Sequence, residues 1–139
     1  MTYDDQNIFA KILRGEIPSE VLYEDDASYA MMDIMPWSDG HCLVISKEPA
    51  RNILDISPDA LADVAKTVQK MAIATKKAFN ADGVTIRQNN EAAGFQEVFH
   101  IHFHIIPTFD GVALRRVPAP MMDMDVMKEH AAKIKNALL

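Results

Sequence analysis

Residues 100 to 107 read HIHFHIIP, so His100, His102 and His104 alternate with Ile101, Phe103 and Ile105. A helix puts residues two apart on opposite sides, whereas a strand puts them on one face, and the β-branched and aromatic spacers favour the strand. Three imidazoles are therefore expected on one surface, with Phe99, Ile101, Phe103 and Ile105 turned into the core. Pro107 cannot donate to a ladder and is expected to end the pairing or mark an edge. At about 3.4 Å per residue, His100 and His104 stand roughly 14 Å apart along the backbone, so one ion cannot readily take all three rings. Three uses of the row stay open. Two of the rings could share a metal, the strand could simply be rich in His, or the rings could divide the labour: one nucleophile, one donor to a departing group, one that orients the set.

The rest of the chain limits those uses. Its 139 residues, 49% of them hydrophobic, make one domain with a single core. A net charge of −6 argues against a nucleic-acid or membrane-surface role, both of which need clustered Lys and Arg. No apolar run approaches the roughly 18 residues of a membrane span and the first residues are not basic-then-apolar, so neither a span nor a secretory signal is expected. Cys42 stands alone, which excludes an internal disulfide and makes a cytoplasmic location the default. It lies in the apolar run CLVI and is expected to be a small core residue.

In chain order, residues 1 to 6 are polar and expected to be loose. Ile8, Phe9, Ile12 and Leu13 recur at helical spacing before Gly15, which predicts a short first helix ended by that glycine. Strands are expected at Val21 to Glu24, Ser28 to Ile34, Gly40 to Ser46 and Val84 to Arg87. The third, apolar through its centre, should be buried on both faces. Ser57, Pro58 and Asp59 carry the start signals of the longest helix, with Leu61, Val64, Ala65, Val68, Met71, Ala72 and Thr75 as its inner stripe until about Phe79. Lys66, Lys70, Lys76 and Lys77 read as its solvated side. Asp123 or Asp125 could cap a last helix through Met127, Ala131, Ile134 and Leu138. This pattern predicts an α+β fold: an antiparallel sheet of about five strands, one long helix, and short N-terminal and C-terminal helices.

The run HIHFHII resembles the HxHxHxx signature, x being apolar, of the histidine triad (HIT) nucleotide hydrolases and transferases. NIFAKILRGEIPS, the stretch from YED to MDIMP, GHCLVISK and NNEAAGFQEVF follow the order and spacing of the bacterial HINT-like branch. The resemblance covers residues 7 to 109 of a single domain spanning 1 to 139, and leaves 110 to 139 as a C-terminal extension.

That resemblance implies a role for each matching residue. His102 would attack the α-phosphorus of a purine nucleoside 5′-phosphoramidate or related phosphoanhydride, forming a nucleotidyl-histidine that water then cleaves. His104 would bind phosphate and supply a proton to the leaving group, and His100 would support the other two. Ile8 and Phe9 would wall the nucleoside pocket, although they also suit the buried stripe of the first helix. Asp33, otherwise a turn carboxylate, would accept the ribose hydroxyls, with Met32 and Ile34 beside it. An Asn on the phosphate side corresponds to Asn89 by counting back from the triad and to Asn90 by local similarity, and both stay open. Gly94, Gln96, Glu97 and Val98 would complete the phosphate loop. Two residues depart from the pattern: Phe95 where a second Gly is usual, and Glu97 where a hydroxyl often donates to phosphate. Many relatives join a CxxC to two His to hold a structural zinc. Here Asn7 and Ala10 occupy the Cys positions, leaving His41 and His100 without thiolates, so neither a metal nor a cofactor is expected. The resemblance also implies a homodimer, and the Met-rich segments would suit its seam as well as they suit a core. Two alternatives remain: a dinucleoside polyphosphate hydrolase, and a non-catalytic nucleotide-binding scaffold.

Overall fold

The computed structural model describes residues 2–139, so of the N-terminal stretch expected to be loose only Met1 lies outside the described residues. Helix α1 (Ile8–Leu13) begins where the Asn7 side chain accepts from the Ala10 N–H, and Gly15 follows it at φ +79°. Strands β1 (Val21–Glu24), β2 (Ser28–Met32) and β3 (Cys42–Ser46) come next. Helix α2 (Pro58–Ala78) has Ser57 accepting from the Ala60 N–H and Pro58 at its first position, as the start signals require. Its buried stripe is Val64, Thr67, Met71, Ala74 and Thr75, and Ala65 is exposed rather than inside. Strands β4 (Gly83–Arg87) and β5 (His102–Thr108) are joined through a 3-10 turn at Ala92–Gly94, and α3 (Met124–Leu138) closes the chain with Asp123 as its cap.

All five strands form one antiparallel sheet in the order β1-β2-β3-β5-β4. Every residue of β2 and β3 is buried because both sheet faces are covered. On one face Leu22, Ala30, Met32, Cys42, Val44 and Ile105 pack against α2 and α3 through Val64, Met71, Ala74, Met127, Ala131 and Ile134. The extension beyond residue 110 thus contributes to the main core. On the other face Tyr29, Met31, Leu43 and Ile45 pack under Phe9 and Ile12 of α1. Among the described residues no helix is long and apolar enough to cross a membrane.

The histidine run departs from the expected strand at its start and its end. β5 begins at His102, because the Ile101 N–H donates to the Ala50 carbonyl and the His100 carbonyl accepts from the His102 ring. Those bonds take the backbone of 100 and 101 out of the ladder. Pro107 does not end the pairing. It lies inside β5 opposite Val84, and β5 is an interior strand, but β3 has already run out, its Cys42 standing opposite Ile105. The strands predicted to reach Ile34 and to start at Gly40 are each shorter, since residues 33 to 41 form the turn that carries Asp33, Trp37 and His41.

Gly40 fixes that turn against α2. Its φ is +90°, and a Cβ built there would stand 2.6 Å from the Phe79 ring, so only glycine fits both the backbone and the space.

Candidate active site

The α1 face of the sheet carries a cavity of about 510 Å³. Residues pointing to that face alternate along β5, so His102 and His104 line the cavity while Phe103 and Ile105 pack on the helix side. Register places His102 opposite Ile45 and His104 opposite both Leu43 and Arg87. The His102 and His104 rings are 5.2 Å apart, and Phe9 meets His102 edge-on at 4.9 Å. Ile8, Phe9, Ile12, Ile17 and Val98 make an apolar wall, which suits a base and sugar.

Hydrogen bonds assign the tautomer of every ring in the group. The His102 Nδ1 lies 2.7 Å from the His100 carbonyl, which can only accept, so Nδ1 carries the proton and Nε2 keeps its lone pair. His100 donates from Nε2 to the Ser46 carbonyl at 2.7 Å, and its Nδ1 accepts from the Tyr3 hydroxyl at 2.7 Å. The Trp37 N–H donates to His41 Nδ1 at 3.0 Å, so His41 holds its proton on Nε2 and donates it to His104 Nδ1 at 2.9 Å. His104 must then carry a proton on its own Nε2. Burial keeps these rings neutral. Desolvation lowers the pKa of His41 and His104 to about 3 each, and that of His100 and His102 also falls below the ordinary value. At neutral pH the site therefore presents a bare ring nitrogen on His102 beside a ring N–H on His104.

Asp33 stands under this pair. One carboxylate oxygen accepts from the Met35 N–H at 2.8 Å, and the other lies 3.4 Å from His41 Nε2 and 3.9 Å from His104 Nδ1. Burial raises its pKa, with the Met35 bond opposing that shift.

Residues 14–111 match the HIT domain. The chain belongs to the HIT family. It is 37% identical over 142 residues to the adenosine 5'-monophosphoramidase of Saccharomyces cerevisiae, covering 98% of this chain and 87% of that protein. A crystal structure of a HIT-like protein involved in cell-cycle regulation from Bartonella henselae superposes with a TM-score of 0.92 at 51% identity, covering 98% of this chain and 99% of that one. A zinc-bound histidine triad family protein from Mycobacterium smegmatis superposes at 0.83 with 33% identity, covering 96% and 93%. The five-stranded antiparallel sheet flanked by helices is the HIT-like α+β fold of these neighbours.

The HIT fold distributes the expected site residues unevenly. Ile8, Phe9, Met32, Asp33, Ile34, Asn89, Glu97, Val98, His102 and His104 all border the cavity, although Met32 is itself buried in the helix-side core. His100 does not. It is 1% exposed and supports His102 through its carbonyl from a position outside the cavity. Asn89 and Asn90 part company: Asn89 lines the cavity, while the Asn90 side chain accepts from the Ile53 N–H and pairs with Gln88. Gln96, expected on the phosphate side, is buried with its amide bonded to Arg51, Asn52, Glu91 and Val98, so it braces the loop from beneath. Gly94 likewise lies off the cavity wall. Phe95 takes the left-handed conformation, φ +69°, that its size disfavours, and leaves its ring 82% exposed at the rim. Tyr3 corrects the expectation of a loose N-terminus, because its hydroxyl fixes His100.

The zinc set that the resemblance implies does not fit here. Beyond the missing thiolates, His41 immediately precedes β3 while His100 bonds to Ser46 at the far end of it, so the two rings expected to share an ion belong to opposite ends of a strand. Asp33, His41 and His104 do bring three ligand atoms within 4.8 Å of one another. Their hydrogen bonding opposes a metal: His41 Nε2 could ligate only after losing its proton, and moving that proton to Nδ1 would set it against the Trp37 N–H.

Three features escaped the sequence reading. Trp37 stacks on His104 at 4.8 Å with the planes 17° apart. Arg87 approaches the Trp37 ring at 5.0 Å and lines the cavity. Val117, Pro118 and Ala119 from the extension form part of its wall, tied down by Arg115, which donates to the Trp37 carbonyl and pairs with Asp39, and by the Met122 N–H on the Ile34 carbonyl. Only the chain's single Trp, in the turn before Asp39-Gly40, gave a sequence signal.

Proposed function

We propose that this HIT protein is a nucleotide hydrolase that cleaves nucleoside 5′-phosphoramidates or related phosphoanhydrides at the α-phosphate through a nucleotidyl-histidine on His102. The observation that carries the reading is the bond from His102 Nδ1 to the His100 carbonyl, which leaves a neutral Nε2 lone pair at the cavity. The activity named for the yeast relative supports it.

In this reading the base and sugar occupy the apolar wall under Ile8 and Phe9, with Asp33 at the ribose and Asn89 on the phosphate side. The His102 Nε2 lone pair forms a bond to the α-phosphorus. The P–N or P–O bond to the leaving group breaks, its electron pair goes to the departing atom, and the Nε2–H of His104 protonates that atom. Water then adds to phosphorus and passes a proton to the His104 Nε2 left bare by the first step, the P–Nε2 bond breaks with its electron pair returning to His102 Nε2, and the nucleoside monophosphate leaves. His41 holds His104 in the tautomer that can donate, and Trp37 keeps its ring plane in place. No step calls for a metal. The reading includes a cytoplasmic homodimer and one HIT domain over 1–139.

Rapid acid quench followed by peptide mass analysis tests it: the peptide bearing His102 should carry a nucleoside monophosphate during turnover. Replacing His102 with Ala should abolish turnover and leave nucleotide binding. Comparable turnover in that variant, or an adduct on His100 or His104, would refute the assignment.

A further inference from the structure

The cavity has a direction. Phe9 contacts His102 at 4.9 Å, His102 stands 5.2 Å from His104, His104 stacks on Trp37 at 4.8 Å, and the Arg87 guanidinium lies 5.0 Å from the Trp37 ring. The nucleoside wall is at the first end of this series and the proton donor is in the middle, so the far end is where a departing group extends. Arg87 projects there from β4, directly opposite His104. It is the one Lys or Arg side chain among the described lining residues, it is exposed, and it pairs with no carboxylate among the described residues. Its charge also adds, after burial, to what disfavours protonation of His41 and His104.

A phosphoramidate that releases ammonia or an uncharged amine gives such a guanidinium nothing to bind beyond the α-phosphate. A phosphoanhydride extends a second phosphate past His104, and a guanidinium binds phosphate oxygens in a bidentate fork. We propose that Arg87 is a specificity-determining residue that binds a phosphate-bearing leaving group, which makes nucleoside 5′-phosphoanhydrides the preferred substrates of this site. The inference rests on the nucleotidyl-transfer reading above. In the step it favours, the bond from His102 Nε2 to the α-phosphorus forms as the bond to the bridging oxygen breaks. The electron pair stays on that oxygen, which takes the His104 proton, while Arg87 holds the remaining phosphate charge.

The test compares kcat/KM for diadenosine triphosphate and adenosine 5′-phosphoramidate in the unaltered protein and in Arg87→Gln and Arg87→Lys. The unaltered protein should favour the anhydride. In Arg87→Gln the ratio of the two values should fall about tenfold or more, chiefly through KM for the anhydride, and Arg87→Lys should recover part of it. Thermal melting should match the unaltered protein, since Arg87 is exposed. An unchanged ratio in Arg87→Gln, or equal losses on both substrates, overturns the inference and leaves the nucleotidyl-transfer reading standing. Cleavage of neither substrate by the unaltered protein removes both.

Discussion

Acid should destabilise this protein at a pH well above the usual carboxylate range, and the perturbation is protonation of His41 and His104. Both rings are held at a pKa of about 3 in the folded chain, against 6.5 as the ordinary value. The unfolded chain therefore takes up two protons on these rings as the pH drops below 6.5, while the folded chain takes up none until near 3. Stability from this source is complete above pH 6.5 and is lost as the pH falls through the interval between those values. Each proton costs ~1.4 kcal/mol per pH unit, so the pair contributes a slope of ~2.7 kcal/mol per unit below 6.5 and a loss of ~4 kcal/mol by pH 5. Against a total stability of ~5–15 kcal/mol for a domain of this kind, that loss is a large fraction. Urea denaturation at half-unit intervals from pH 8 to pH 5 measures it, and the doubly substituted His41→Gln, His104→Gln protein is the comparison. The variant should show a slope shallower by nearly two protons between pH 6 and pH 5. Asp33, whose raised pKa acts in the opposite sense, and His100 and His102, which add to the slope, are present in both proteins. Equal slopes in the two proteins would refute the claim that burial keeps these two rings neutral.

Gly40→Ala should destabilise the fold by ~2–4 kcal/mol, read as a lower urea midpoint, because the added methyl meets Phe79 and the backbone sits at positive φ. Asp33→Ala should raise KM for a nucleotide more than it lowers kcat, since a ribose contact forms in both ground and transition states; an unchanged KM with a lowered melting temperature would leave Asp33 only its turn bond to Met35. Turnover should survive exhaustive chelation, given the proton on His41 Nε2; loss of activity that returns with added zinc would overturn the tautomer argument.

Local chemistry made much of this fold readable. The start of α2 follows from Ser57, Pro58 and Asp59, each acting within one turn of its own backbone, and the burial of β3 follows from its unbroken apolar run. The facing of His102 and His104 follows from strand alternation alone. What sequence could not supply was set by contacts between distant segments. His100 left the strand because its carbonyl and ring met His102 and Ser46, and Tyr3, 97 positions away, completed its bonding. Asn89 and Asn90 are equivalent in type, and the hydrogen bonds that tie the Asn90 side chain to Ile53 and Gln88 separate them. Trp37 and Arg87 lie on a turn and a strand whose adjacency depends on the sheet order, in which β4 follows β3 only by way of β5. Gln96 matched a motif position, yet its amide is spent on the loop, a distinction visible only once Arg51 and Asn52 are brought beside it.

The ring tautomers are fixed by backbone groups of His100, Ser46 and Trp37, and none of those bonds comes from residues 110 to 122. The irregular segment carrying Val117, Pro118 and Ala119 is attached from outside, through Arg115 and Met122. That arrangement makes the segment an exchangeable cassette. Changes at Val117, Pro118 and Ala119 would therefore reshape the cavity wall while the bonds that set the proton positions on the sheet stay as they are.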